Sequence, residues 1–156
     1  MSIIARFLED HLVFRRHLDE AKKIAAALAP GSPKPGQTEA DRAFANHLRR
    51  HARMEAELLF PAMQRASEGD HRKETVKQFI NHGNDEHVSV AKRHSEWMAE
   101  PNPDTHFSEW QTALHHFADG LERHIEMEEK ELFPLAEKIL SKDALAEMAK
   151  KADSIP

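Results

Sequence analysis

Two stretches of this chain repeat one pattern, His-x-x-x-Glu-x-x-x-x-Phe-Pro: His51 to Pro61 and His124 to Pro134. On a helix, residues four apart lie one above the other. His51 with Glu55, and His124 with Glu128, can therefore each turn an imidazole nitrogen and a carboxylate toward one point. Upstream of each pair stands a solitary histidine on the apolar face of the preceding helix, His11 before the first and His87 before the second. The chain reads as a two-fold repeat of a helix pair. Two such pairs plus two single histidines make a compact cage. Each of two metal ions could take two imidazoles there, with one oxygen from each of two bridging carboxylates. Positions left open for exogenous oxygen species would make such a site reactive rather than purely structural.

A lone His and Glu four apart is ordinarily an exposed helix pair worth a few tenths of a kcal/mol. His82 with Glu86, and His115 with Asp119, fit that description. His82 lies about 140° around the helix from His87, and His115 about 180° from His124, so neither belongs on its stripe. His87 is preferred because Ile80, Gly83 and Val90 share its face. The full set differs from a lone pair, because six unpartnered polar groups in one core would be costly without a cation.

To share one interior, these residues need four helices. Breakers cluster at Ala29 to Gln37 and at Pro101 to Asp104, both expected as loops, and Ser67-Glu68-Gly69-Asp70 marks a weaker break. The spacing predicts helices near 3–28, 38–66, 71–98 and 105–139, with a short tail helix after Ser141. Thr38 with Asp41 is a capping start for the second.

Each long helix carries an apolar stripe at steps of three and four. Helix 1 offers Ile4, Phe7, His11, Phe14, Leu18, Ala21, Ala25 and Leu28. Helix 2 offers Phe44, Leu48, His51, Glu55, Leu58 and Ala62. Helix 3 offers Val76, Ile80, Gly83, His87, Val90 and His94. Helix 4 offers Phe107, Trp110, Leu114, Phe117, Leu121, His124, Glu128, Leu135 and Ile139. Short connections favour an all-α, up-down-up-down antiparallel four-helix bundle over about 3–140, with a tail helix over about 141–152, all in one domain spanning 1–156.

Composition narrows the chemistry. Twelve histidines stand in a 156-residue chain with no Cys and no Tyr, so thiolate ligands, disulfides and phenolate ligands are excluded. Lys and Arg number 22 against 27 Asp and Glu, and the net charge of −5 argues against a nucleic-acid partner. No apolar run reaches the ~18 residues a membrane span requires, so no membrane partner and a soluble, cytoplasmic protein are expected. No Gly-rich phosphate loop, His-Glu-x-x-His motif or nucleophile elbow is present. His47 and His94 lie near the ligand faces as supporting donors or as lining of an entry path, and Glu86 is a possible further ligand. Pro61 and Pro134 are expected to kink or end their helices just past the ligands. Trp97 and Trp110 are expected to plug the end of the bundle near Pro101.

The single His, His-x-x-x-Glu, single His, His-x-x-x-Glu series with both Phe-Pro endings resembles the hemerythrin-like, HHE cation-binding family over about residues 3 to 140. The resemblance implies a non-haem di-iron centre: two iron ions held by His11, His51, Glu55, His87, His124 and Glu128, with both glutamates bridging beside an oxo or hydroxo group. Oxygen-carrying members have a second His one turn from the first on helix 3, and an Asp five residues after the helix 4 His. Here Gly83 or Ala91 flanks His87 at those places and Glu129 follows Glu128, which speaks against reversible oxygen storage. Members that repair iron–sulfur centres share the present ligand pattern.

The leading expectation is a protein that binds or reduces a small diatomic or peroxide ligand (O2, NO or peroxide) as sensor, scavenger or oxidoreductase. An iron store or donor without oxidant turnover is the alternative. Zinc or manganese in a structural bundle is a third, because imidazole and carboxylate donors accept all these metals.

Overall fold

A computed structural model describes residues 1–27, 39–99 and 103–156, with side chains from Phe107 onward in the last segment. Helix α1 (Ile3–Ala27) is followed by α2 (Glu39–Met54), a π turn (Glu55–Leu59) and α3 (Phe60–Ala66), which together form one rod. Then come α4 (Lys73–Ala99), α5 (Pro103–Met127), a second π turn (Glu128–Leu132) and α6 (Phe133–Ile139), the last three again one rod. Helix α7 (Lys142–Lys151) and a short 3-10 turn (Ala152–Ser154) end the chain. No strand occurs among the described residues, and the four long rods form a helical bundle with α1 beside α2 and α5, and α4 beside α3 and α5. No helix of the described residues is long and apolar enough to cross a membrane.

The bundle forms because each stripe is buried. On α1, Ile4, Phe7, His11, Phe14, Leu18, Ala21 and Ala25 all face inward. The apolar residues gather in two clusters with the polar stripe residues between them. One holds Phe14, Leu18, Phe44, Trp97, Trp110 and Phe117. The other holds Phe7, Met54, Leu59, Phe60, Phe133 and the tail residues Leu145 and Ile155. Trp97 and Trp110 are fully buried in the first, as expected of plugs for that end. The tail helix starts at Ser141, whose hydroxyl accepts from the Ala144 N–H at 3.1 Å.

Three expectations are corrected. Pro103 and Asp104, expected in a loop, lie in the first turn of α5, where a proline's missing N–H costs nothing. The rest of that loop, together with Leu28, the Ala29 to Gln37 loop and Thr38, falls outside the described residues. Pro61 and Pro134 do not end their helices; each is preceded by a π turn in which the N–H of Phe60 donates to Glu55 O, and that of Phe133 to Glu128 O. In an α-helix each proline ring would collide with the carbonyl four residues back, and the wider turn relieves that clash.

The extra residue also shifts the buried face. Beyond Glu55 the fully buried positions are Leu59, Phe60 and Met63, with Leu58 and Ala62 only partly buried. Beyond Glu128 they are Leu132, Phe133 and Ala136, with Leu135 and Ile139 partly buried.

Candidate metal centre

All six expected ligands meet midway along the bundle. His11 comes from α1, His51 from α2, Glu55 from the first π turn, His87 from α4, His124 from α5 and Glu128 from the second π turn. Their ligand atoms fall into two overlapping groups, Glu55, His87, His124 and Glu128, and His11, His51 and Glu128; within each group the atoms lie inside 4.8 Å of one another. Each glutamate faces both ways. Glu128 Oε2 is 3.0 Å from His11 Nε2 and 3.8 Å from His51 Nε2, while its Oε1 is 2.5 Å from His124 Nε2. Glu55 Oε1 is 3.9 Å from His51 Nε2, and its Oε2 is 2.6 Å from His87 Nε2.

These contacts are close but mostly not hydrogen bonds. His11 Nε2, His51 Nε2, Glu55 Oε1 and both Glu128 oxygens are buried without a hydrogen-bond partner. Both glutamates are 0% exposed. Buried polar atoms are ordinarily satisfied. Buried imidazole and carboxylate atoms that lie within 4.8 Å of one another without hydrogen bonds are a donor set that a cation would satisfy, so the residues present fit a metal centre.

A ring of polar groups stands behind the cage. The Nδ1 of His11 hydrogen-bonds Glu129 Oε1 at 2.9 Å, and Glu129 is held in turn by Arg15 at 2.7 and 3.2 Å. The Nδ1 of His51 meets Asp10 Oδ2 at 3.0 Å, and Asp10 Oδ1 meets His47 Nε2 at 2.6 Å. His47 thus supports the cage through Asp10.

Asp10 was not singled out in the sequence, yet it lies three residues after Phe7 and four before Phe14, on the buried face of α1. That spacing was the available signal. Glu129 turns to His11 and Arg15 instead of joining the ligands. His82 and His115 are exposed, and Glu86 is half-buried outside both groups.

Burial opposes charge throughout, and the ion pairs overcome it. Burial would lower His51, but the hydrogen bond to Asp10 and the nearby carboxylates of Glu128 and Glu55 raise it to about 10. Glu128, despite complete burial, is held well below the usual carboxylate range by His11, His124 and His51. His124 is raised by Glu128 and Glu55 against the effect of burial. Protons therefore do in this cage what a cation would do.

Residues 2–136 match the family model described as the hemerythrin HHE cation binding domain. The chain belongs to that family. Comparison with curated proteins found no match, and comparison with solved structures found none. Membership in the hemerythrin HHE family implies metal binding, typically of iron, and both groups of side chains could hold a metal.

A cavity of about 140 Å³ adjoins the cage. Its inner wall includes His11, His51, His87, His124 and Glu128, its sides Phe14, Leu48, Val90, Leu121 and Ile125, and its outer residues Arg49, Ala91, His94 and Ser95. Arg49, Ala91 and Ser95 are exposed, so the cavity reaches toward solvent between α2 and α4. His94 lines the path, its Nε2 buried without a partner.

Proposed function

We propose that this chain is a non-haem di-iron protein that binds or reduces a small oxidant, O2, NO or peroxide, as a sensor, scavenger or oxidoreductase. One observation carries the reading. Glu55 and Glu128 each present their two oxygens to different histidine pairs, as bridging carboxylates between two ions do. His11, His51, Glu55, His87, His124 and Glu128 would hold the metal. Iron bound there would supply one-electron redox chemistry.

The rest of the work belongs to the chain. Asp10 and Glu129 fix the orientation of two imidazoles. Phe14, Val90, Leu121 and Ile125 line an apolar passage with room for a small ligand beside the cage.

Metal analysis of protein purified without chelator tests this, with ultraviolet–visible spectra before and after reduction and then with O2, NO and peroxide. About two irons per chain and a spectrum altered by at least one oxidant are expected. Stoichiometric iron indifferent to all three would sink the oxidant reading, and zinc in place of iron would turn it toward a structural role.

A second reading, iron storage or donation, draws support from the greater exposure of His87 among the six, 14% for its side chain against 1% for His11. Iron transfer to an apo iron–sulfur protein without oxidant turnover would favour it.

A further inference from the structure

The internal duplication allows each residue around the cage to be compared with its counterpart in the other half. The ligands correspond: His11, His51 and Glu55 in one repeat, His87, His124 and Glu128 in the other. Glu128 belongs to both groups, and Glu55, 2.6 Å from His87, also turns its other oxygen to within 3.9 Å of His51, so the two positions draw on the same residue types although Glu55 groups with His87 and His124 only.

Their supports do not match. Behind His11 and His51 stand Glu129, Arg15, Asp10 and His47, all joined by hydrogen bonds of 2.6 to 3.2 Å. The same places behind His87 and His124 hold Ala56, Ala91, Glu86 and Gly120. Three of the four cannot hydrogen-bond through a side chain. Glu86 does not reach His124 Nδ1, which is buried without a partner, and no carboxylate pairs with His87 Nδ1 among the described residues. Ala91, standing where Arg15 stands in the other half, lines the cavity and is exposed.

An imidazole whose far nitrogen donates to a carboxylate is a more basic ligand locked in one tautomer, and loss of such a partner weakens metal affinity about 10- to 100-fold. We infer that the two metal positions are unequal: His11 and His51 hold a tight resident ion, and His87 and His124 hold a weaker one that exchanges through the cavity. This rests on the two-metal reading above. Asp10 and Glu129 act as positioning residues for the first position only.

The test is calorimetric titration of the metal-free full chain with Zn2+, followed by native mass spectrometry during chelator removal. Two resolved steps and a one-zinc species are expected. His87→Gln should abolish the weaker step alone. Asp10→Asn with Glu129→Gln should weaken the tighter step by about 10- to 100-fold per lost carboxylate and leave the weaker in place. Glu129→Gln alone, at a partly exposed residue, gives the same sign if the double variant does not fold; unchanged helicity of the metal-free variant confirms that folding is not the cause. Two equal steps, or variants that weaken the His87 step instead, would overturn the inference alone. Fewer than two zinc ions at saturation would overturn the two-metal reading and this inference with it.

Discussion

Phe60 lies flat against His87, ring centroids 6.0 Å apart and planes 12° from parallel, and its ring fills the space a side chain at position 83 would need. In the other half Phe133 lies on His11 in the same way, at 5.5 Å and 19°. The Phe of each Phe-Pro ending is thus a platform for the single histidine of the neighbouring helix. The counterpart of Gly83 is Phe7, which stacks on Phe133 at 5.5 Å.

Gly83→Ala should therefore destabilise. Its Cβ would sit 2.8 Å from Phe60 Cζ. Helix propensity favours alanine by about 0.5–1 kcal/mol, but overpacking costs about 1–3 kcal/mol and wins, leaving a loss of about 1 kcal/mol. In a Phe60→Leu background the same substitution should become neutral or stabilising. Urea unfolding of the four proteins measures this, and a stabilised Gly83→Ala single variant would contradict the packing argument.

Metal loading should stabilise the fold, because an ion would give buried donors that lack a hydrogen-bond partner a common partner. At free metal a hundredfold above the dissociation constant, each bound ion contributes about 2.7 kcal/mol. Glu128→Gln, which alters the residue shared by both groups, should remove nearly all of the metal-dependent rise in melting temperature. His87→Gln should remove only part. Equal losses in the two variants would mean that the positions fill only together.

The six cage residues were legible because each interrupts an apolar stripe at helical spacing, and the tail helix because Ser141 caps it. Asp10 escaped notice although it keeps the same spacing, since a lone aspartate beside a ligand histidine reads as solvated until the partner His47 is brought across from α2. The face of the helices beyond Glu55 and Glu128 was misread for a different reason. A constant period of 3.6 cannot foresee an inserted residue, and only the proline six places after each glutamate hints that the turn must widen. Pro103 is a breaker by residue type alone, yet at a helix start it is compatible with the first turn.

The tail should depend on Arg50. Its Nε donates to Ile155 O at 2.9 Å and its Nη2 to Ala152 O at 2.8 Å, satisfying carbonyls at and beyond the end of α7. Arg50→Ala should cost about 1.5–3 kcal/mol, the range for hydrogen bonds from a charged donor. It should also speed proteolysis within 142–156 while the bundle stays helical. Arg6→Ala should cost less, because the Asp153 that it pairs with is 74% exposed. Limited proteolysis with urea unfolding separates the two, and a larger effect at Arg6 would contradict the assignment.

Acid should loosen the far layer of the bundle. Burial lowers His17 against the pull of Asp41, and burial together with the charges of Arg49 and His17 lowers His94. Above about pH 6.5 both are neutral folded and unfolded, so neither contributes a pH dependence. As pH falls below that value the unfolded chain takes up protons first, and stability is lost through the depressed folded values by at most about 1.4 kcal/mol per pH unit for each histidine. His51 and His124, raised in the metal-free protein, work in the opposite direction: their stabilisation is complete below pH 6.5 and fades as pH rises toward their folded values. Thermal melts of metal-free wild type and of His17→Gln with His94→Gln, compared from pH 7.5 down to 5, cancel the cage contribution. The variant's curve should fall less steeply below pH 6.5 than that of the wild type. Parallel curves would show that these two imidazoles take up protons as readily folded as unfolded.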